Sequence, residues 1–423
     1  MKIITKSAFL AEKNSSTTIT QNQTIRARVE EIILTVRSQG DQALFNYTKQ
    51  FDGAAINSME VTKQEIEDAR NLVGELFMEA LQKAKQNITT FHAEQLQESW
   101  SIGERNDAYV GQKITPLESV GVYVPGGKAA YPSTVLMNVI PAKLAGVSSI
   151  SIVTPPQANG KINPYVLAAA DEAGADRIYK VGGAQAIAAL AYGTETIKKV
   201  NKIVGPGNSY VAQAKKMVFG DVSIDMIAGP SEICIVADSS ADPRFAAADL
   251  LSQAEHDEEA SAICITTSYE MAQSILTEIT LQTKSLERKK IIQASIEKKG
   301  RIIVCETLEE AFEIVNEIAP EHLQLMIKEP YNALEAIKNA GAIFLGNYSP
   351  EALGDYFAGP NHTLPTNGTA AFASPLGVYD FVKKSSVIQY SQTALAAAAD
   401  SIITLAEAEG LSAHANAIRV RKS

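Results

Sequence analysis

Apolar residues recur at three- and four-residue intervals through the first quarter of the chain. "DQALFNYTKQF" and "EIEDARNLVGELFMEALQKAKQNITTFHAEQ" place charges between them, which predicts amphipathic helices across residues 1 to about 115. The texture changes at residue 119. "VGVYV" is a short β-branched run, followed by the turn "PGG" and the helical "YPSTVLMNVIPAKLAG". Then come "SISIVT", a helix through "PYVLAAADEAG", "RIYKV", a helix through "AQAIAALAYG", and "KIV". Continuous apolar runs alternating with helical patterns predict parallel βα units with both sheet faces covered. The alternation pauses at "IDMIAGPSE" and resumes with "ICIVAD", "AICITT", "RIIVC", "HLQLMI" and "GAIFLG". The Ala-rich "QTALAAAADSIITLAEAEGL" predicts a helical tail. The predicted class is therefore α/β with parallel sheets: a mainly helical N-terminal region (1–115), a first α/β unit (116–230), a second (231–380) and a tail (381–423).

Composition narrows the function classes. The chain has 423 residues, 46% hydrophobic and 20% charged, as a soluble globular protein does. A net charge of −10 argues against nucleic acid as ligand, because phosphate binding needs a basic field. The longest apolar stretches are interrupted, as in "STVLMNVIPAKLAGV", so no membrane span is expected, and "MKIITKSAFLAEKN" lacks the apolar core of a signal peptide. Cys234, Cys264 and Cys305 are widely spaced, which suits a cytoplasmic protein and offers no thiolate zinc site. All three sit in β-branched runs, where cysteines are structural, not nucleophilic.

Candidate chemistry lies in the turns. Glycine-rich turns occur at "VPGG", "VGGAQA", "GPGN" and "AGPS". None completes a dinucleotide fingerprint, since "GPGNSY" has Tyr210 in place of the third glycine. Singly, each is an ordinary strand-to-helix turn; together, on one sheet edge, they predict a ligand crevice. "DLLSQAEHDEEA" puts Gln253 and His256 three apart, on one helix face. "APEHLQLM" puts Glu321 beside His322 at a turn, where both can enter a cleft, His as a base and Glu as an activator of water, although an isolated pair of this kind is more simply an exposed loop. "GDYFAGPNHTLPT" carries Asp355 and His362 in an irregular segment, and "EAEGLSAHANAIRVR" carries Glu409 and His414 near the end. His92, in "TTFHAEQ", reads as an ordinary helix residue. Four histidines among Asp, Glu and Gln suggest a metal with nitrogen and oxygen ligands, and zinc fits. No HExxH is present.

These motifs, in this order, resemble the histidinol dehydrogenase family. The resemblance runs through "GVYVPGGKAAYPSTVLMNVIPAKLAGV", "VGGAQAIAALAYGT", "VGPGNSYVAQAKK", "IDMIAGPSEICIVAD", "DLLSQAEHD", "APEHLQL", "GAIFLGNYSPEALGDYFAGPNHTLPT", "SPLGVYDFVK" and "EGLSAHANAIRVR", nearly the whole chain. It implies two incomplete Rossmann-like units and two successive NAD-dependent oxidations of L-histidinol, through the aldehyde, to L-histidine. It implies one zinc per subunit, held by Gln253, His256, Asp355 and His414 and gripping the substrate's nitrogens. His322 resembles the base for both oxidations, and Glu321 the residue that activates water for aldehyde hydration. Ser231, His362 and Glu409 match further substrate contacts; Tyr123, Gln185 and Asn208 match contacts to NAD. A homodimer whose tails complete the neighbouring sites is also implied. The chain departs from the family pattern at Ala371 and Gly377, outside the catalytic set. Two other readings use the same residues: a zinc hydrolase, and a non-catalytic protein that holds an imidazole compound through zinc.

Overall fold

The computed structural model describes residues 1–15, 21–105, 107–127 and 130–422. The run of strands expected from residue 119 forms a parallel five-stranded sheet. Its spatial order is Arg177–Lys180, Ser149–Thr154, Ser119–Tyr123, Lys202–Val204, Ser223–Ile224. Numbered along the chain, that is 3-2-1-4-5, the Rossmann order short of one strand. The apolar runs after "AGPS" form a second parallel sheet: Lys2–Thr5, Arg301–Val304, Ser261–Thr266, Glu232–Ala237, His322–Met326, Ala342–Leu345. From Glu232 onward the order is again 3-2-1-4-5. The sixth place is taken by the N-terminal strand Lys2–Thr5, which reaches this sheet from inside the stretch read as helical.

Helices cover both faces of each sheet. The first sheet has one core built by helices Pro132–Leu144 and Pro164–Ala173, and another by Gly183–Tyr192 and Ser209–Val218. The N-terminal helices Gln21–Gln39 and Glu75–Ala93 pack onto these layers. Strand residues such as Val120, Val122, Ile150 and Ile152 are fully buried, the reason their sequence is apolar without alternation. A third, antiparallel sheet joins Trp100–Gly103, Ala108–Pro116 and Val382–Tyr390, so the segment from 381 begins with a strand before its two helices, Gln392–Ala408 and Ser412–Lys422. No helix among the described residues is long and apolar enough to cross a membrane.

The four glycine-rich turns do not share one sheet edge. "VPGG", "VGGAQA" and "GPGN" follow strands of the first sheet, at its carboxyl edge, whereas "AGPS" leads into Glu232, at the amino edge of the second. The segment 362–366 links the two units: Asn138 and Thr134 of helix Pro132–Leu144 hydrogen-bond Thr363 (3.3 Å) and His362 (3.2 Å), and Gly229 N–H donates to Thr366 (2.6 Å).

Candidate active site

Helix Leu308–Ile318 ends at Ala319, held in the left-handed region at φ 49°, and Pro320 cannot continue it. The chain therefore turns at once into strand His322–Met326, with His322 paired between Ile233 and Ala342. The main chain of one residue, Glu232, fixes both candidate catalytic groups. Its N–H donates to Glu321 Oε2 at 2.8 Å, and its carbonyl accepts from His322 Nδ1 at 3.0 Å. With its proton on Nδ1, the ring keeps Nε2 as the basic atom. Nε2 is buried, has no hydrogen-bond partner among the described residues, and lies 3.7 Å from Asp355 Oδ1. Burial pushes the Glu321 carboxyl up to about 8, against the opposing pull of His322. Burial works against a charged His322, but Glu321, Glu351 and Asp355 by themselves outweigh it and raise the imidazole to about 10. A divalent cation held by His256 and Asp355 would oppose that pull and favour the neutral ring a base requires. Glu321 and His322 lie 3.7 Å apart, so each acts on the charge of the other.

Beside them, His256, Glu351 and Asp355 each offer a ligand atom, all within 4.8 Å of one another. Helix Pro243–Ala254 carries Gln253 in its last turn. His256 follows in a turn whose N–H bonds the Gln253 carbonyl at 3.2 Å, so the expected shared face extends past the helix end. Asp355 and Glu351 lie one turn apart on the short helix Glu351–Tyr356. Burial lowers the pKa of His256, which favours the neutral imidazole a metal needs. Burial also acts on Asp355, but His322, His362 and His256 hold its pKa below the usual carboxylate range. One neutral imidazole beside a carboxylate is donor chemistry that suits zinc, and the second carboxylate, Glu351, lies close enough to support a ligand from behind.

Glu351 is a site residue that the motifs alone do not single out. A signal exists all the same: in "SPEALGDYF" it stands four residues before Asp355, hence on the same helix face. Glu351 is 2% exposed and faces the Gln253 amide; with that amide oriented as its surroundings require, nitrogen toward the carboxylate, the nitrogen donates to Oε1 at 2.8 Å and Oε2 at 3.1 Å. Ser252 Oγ adds a bond to Oε2 at 3.3 Å. Glu351 thus engages the amide nitrogen and leaves the Gln253 oxygen as a donor atom for a cation.

Other expected positions divide. His362 is brought in, with Nδ1 3.0 Å from the Asp355 carbonyl and Nε2 on Thr134. Ser231 sits next to Glu232, its carbonyl accepting from Ser261 at 2.9 Å. His414 and Glu409 do not join the cluster within their own chain; both are exposed on the tail. His92 is more than an ordinary helix residue: it is fully buried and faces Asn361, the neighbour of His362, at 3.4 Å. The three cysteines are free and buried, and burial raises each thiol, which removes the thiolate a nucleophile needs.

At the carboxyl edge of the first sheet lies a cavity of about 1160 Å³. Tyr123, Gln185 and Asn208 all line it, with Gly126, Gly183 and Asp52. The Tyr123 hydroxyl accepts from Gly183 N–H at 3.0 Å, and Asn208 caps helix Ser209–Val218. A Cβ at Gly126 or Gly182 would lie 2.6 Å from Pro155, so these turns fit only as glycine. Gln185 Oε1 is buried without a partner among the described residues, an acceptor awaiting a donor. The volume and the N-termini of helices around it fit a dinucleotide.

Residues 15–422 match the pattern of the family described as histidinol dehydrogenase. A histidinol dehydrogenase of Oceanobacillus iheyensis is 58% identical over 422 residues, covering 100% of this chain and 99% of that one. The chain belongs to the histidinol dehydrogenase family. A crystal structure of histidinol dehydrogenase from Elizabethkingia anophelis superposes with a TM-score of 0.90 at 41% identity, covering 96% of this chain and 93% of that one. Likeness of fold extends further. Betaine aldehyde dehydrogenase from Staphylococcus aureus matches with a TM-score of 0.50 at 13% identity, over 88% of this chain and 83% of that one. The Rossmann strand order is present here without the dinucleotide fingerprint.

Proposed function

We propose that Glu321 and His322 divide the proton transfers of a four-electron oxidation, with Gln253, His256, Asp355 and the partner subunit's His414 as zinc ligands. The chain is an NAD-dependent histidinol dehydrogenase by family, converting L-histidinol through L-histidinal to L-histidine at the end of histidine biosynthesis. When bound, NAD supplies the hydride acceptor and zinc a positive anchor for the substrate's nitrogens. The observation that carries the reading is the unpartnered Nε2 of His322, fixed by Nδ1 on the Glu232 carbonyl and set beside the metal-ligand cluster.

His322 Nε2 takes the alcohol proton as hydride leaves the carbinol carbon, giving the aldehyde. Glu321 takes a proton from water as its oxygen adds to the aldehyde, while His322 returns its proton to the carbonyl oxygen, giving the gem-diol and a neutral imidazole. His322 then takes a gem-diol proton as the second hydride leaves, giving the acid. Two hydrides and one water account for the change from alcohol to carboxylate. Tyr123, Gln185 and Asn208 hold NAD; Ser231, His362 and the partner's Glu409 contact the substrate. The cavity at the first sheet's carboxyl edge favours a dinucleotide enzyme over the zinc hydrolase and over the non-catalytic imidazole binder.

The assembly we infer is a homodimer. The tail helices pack chiefly on each other, strand Val382–Tyr390 is exposed from Lys383 onward, and Leu405, Leu411 and Ile388 face out. A partner covering these surfaces would bring a tail to each site. Residues 1–115, 116–230, 231–380 and 381–423 serve as helical layer, cofactor unit, zinc and catalytic unit, and docking tail. Three free cysteines support a cytoplasmic site of action. The test is a spectrophotometric assay with histidinol and NAD: about two NADH per histidinol are expected from the four-electron stoichiometry, and loss of turnover on chelation with recovery on zinc. One NADH, or full activity in verified zinc-free protein, overturns the assignment.

A further inference from the structure

Asp52 is out of place for a structural carboxylate. It is the last residue of helix Asp41–Asp52, before Gly53 at φ 68°. A negative charge at a helix C-terminus meets the negative end of the dipole. Its Oδ2 is buried and has no hydrogen-bond partner among the described residues. Burial raises its carboxyl to about 6, and no cation offsets this. Arg28 lines the same cavity but is paired with Glu31 at 3.4 Å. Buried polar atoms in folded proteins are almost always paired, so an orphaned carboxylate oxygen on a cavity wall marks a place for a donor.

The cavity it lines is the one bordered by Tyr123, Gln185 and Asn208. A pyrophosphate cannot be the group at Asp52, because two negative charges would repel in a partly desolvated setting. The part of a dinucleotide that offers two adjacent neutral donors is a ribose diol, which matches the two oxygens of a carboxylate. Of the two riboses, the one bearing nicotinamide must approach His322, in the second α/β unit. No residue of that unit lines the cavity. Phe51, next in the chain and 46% exposed, lines the cavity too and offers a ring face for a base. On the reading that this cavity holds NAD, we propose that Asp52 accepts the 2′- and 3′-hydroxyls of the adenosine ribose and, by its charge, excludes the 2′-phosphate of NADP. The acid comes from the N-terminal helical layer, not from the sheet, so the specificity determinant lies outside the unit whose turns cradle the cofactor.

The experiment is titration calorimetry of NAD and of NADP with zinc-loaded full-length protein. It compares the wild type, Asp52→Asn, Asp52→Ala and, as a marker of the cavity, Gln185→Ala. Wild type should prefer NAD. Asp52→Ala should raise the Kd for NAD by roughly tenfold to a hundredfold, the range for hydrogen bonds to a charged group. Asp52→Asn should narrow the preference for NAD over NADP. Without cofactor, the thermal midpoint of Asp52→Asn should not fall, because a charge with no partner is being removed. Unchanged NAD affinity in both Asp52 variants, with Gln185→Ala weakened, overturns the proposal and leaves the cavity assignment standing. If Gln185→Ala also binds as wild type does, the cavity assignment falls and the proposal falls with it. Equal weakening of NAD and NADP, no wild-type preference, or a lowered thermal midpoint with intact NAD binding each overturns the role given to Asp52.

Discussion

On the proposed assignment a single atom, His322 Nε2, concentrates the chemistry. It is a buried acceptor left open because Nδ1 is engaged by the Glu232 carbonyl. Glu321 is held by the same residue's N–H. The arrangement separates the two roles, and substitution should separate them in kinetics. His322→Asn should lower turnover of both histidinol and histidinal by roughly 10²- to 10⁴-fold, the range for loss of a general base. Glu321→Gln should impair histidinal oxidation, which needs hydration, more than histidinol oxidation. Steady-state assays with each substrate check this, and equal damage by Glu321→Gln would contradict the division. Glu351 acts one bond further out, through the Gln253 amide. Glu351→Ala should weaken zinc by about tenfold to a hundredfold, as loss of a group orienting a metal ligand does. Competition against a chelator gives the affinity directly, and wild-type affinity would assign Glu351 no part in orienting Gln253.

Helix Glu75–Ala93 shows how an element supports the site from outside it. His92 on this helix is fully buried, with Nδ1 2.9 Å from the Ile88 carbonyl and Nε2 facing Asn361. Asn361 in turn donates to the Met137 carbonyl at 2.5 Å and accepts from Thr363 N–H at 2.8 Å. The helix, the irregular segment and helix Pro132–Leu144 are thereby locked together behind His362. Burial lowers the pKa of His92 below 6.5. The unfolded chain therefore binds this proton first as pH falls, so its contribution favours folding above 6.5 and declines from there toward the lower folded value. Urea midpoints of wild type should drop more between about pH 8 and about pH 5 than those of His92→Gln, from proton linkage at one group. Identical pH slopes would remove His92 from the acid sensitivity.

At the scale of the molecule, the segment 362–366 bridges the two α/β units, bonded to helix Pro132–Leu144 after the first strand of the first sheet and to Gly229 ahead of the second. The cavity lies at the carboxyl edge of the first sheet, and the candidate metal-ligand cluster lies in the second unit beside His362. The tail stands apart, with His414 exposed. If tails are exchanged in a dimer, His256→Ala and His414→Ala chains, each inactive alone, should complement when subunits are mixed. One site of the heterodimer then carries both defects and the other carries neither. Activity up to about half the wild-type value per heterodimer is expected from that two-fold symmetry. A silent mixture, with heterodimers demonstrated and zinc supplied, would show that each tail serves its own chain.

The sequence by itself determined the α/β class and its strands, because a strand covered on both faces must be apolar throughout and "VGVYV", "SISIVT" and "AICITT" read as nothing else. It also drew attention to Glu321, His322, Asp355 and His362 as polar groups in turns, but the roles expected of them came from the family resemblance and not from their spacing. Tertiary structure decided what periodicity cannot encode. Strand Lys2–Thr5 joins a sheet whose next strand lies almost three hundred residues away, a pairing no local pattern specifies. The turn "AGPS" falls on a different sheet edge from its three counterparts, because edge is a property of strand direction and order. Glu351 and Asp52 look like ordinary acidic residues on helices until burial removes their water. Only then does the lack of, or choice of, a hydrogen-bond partner give each a role.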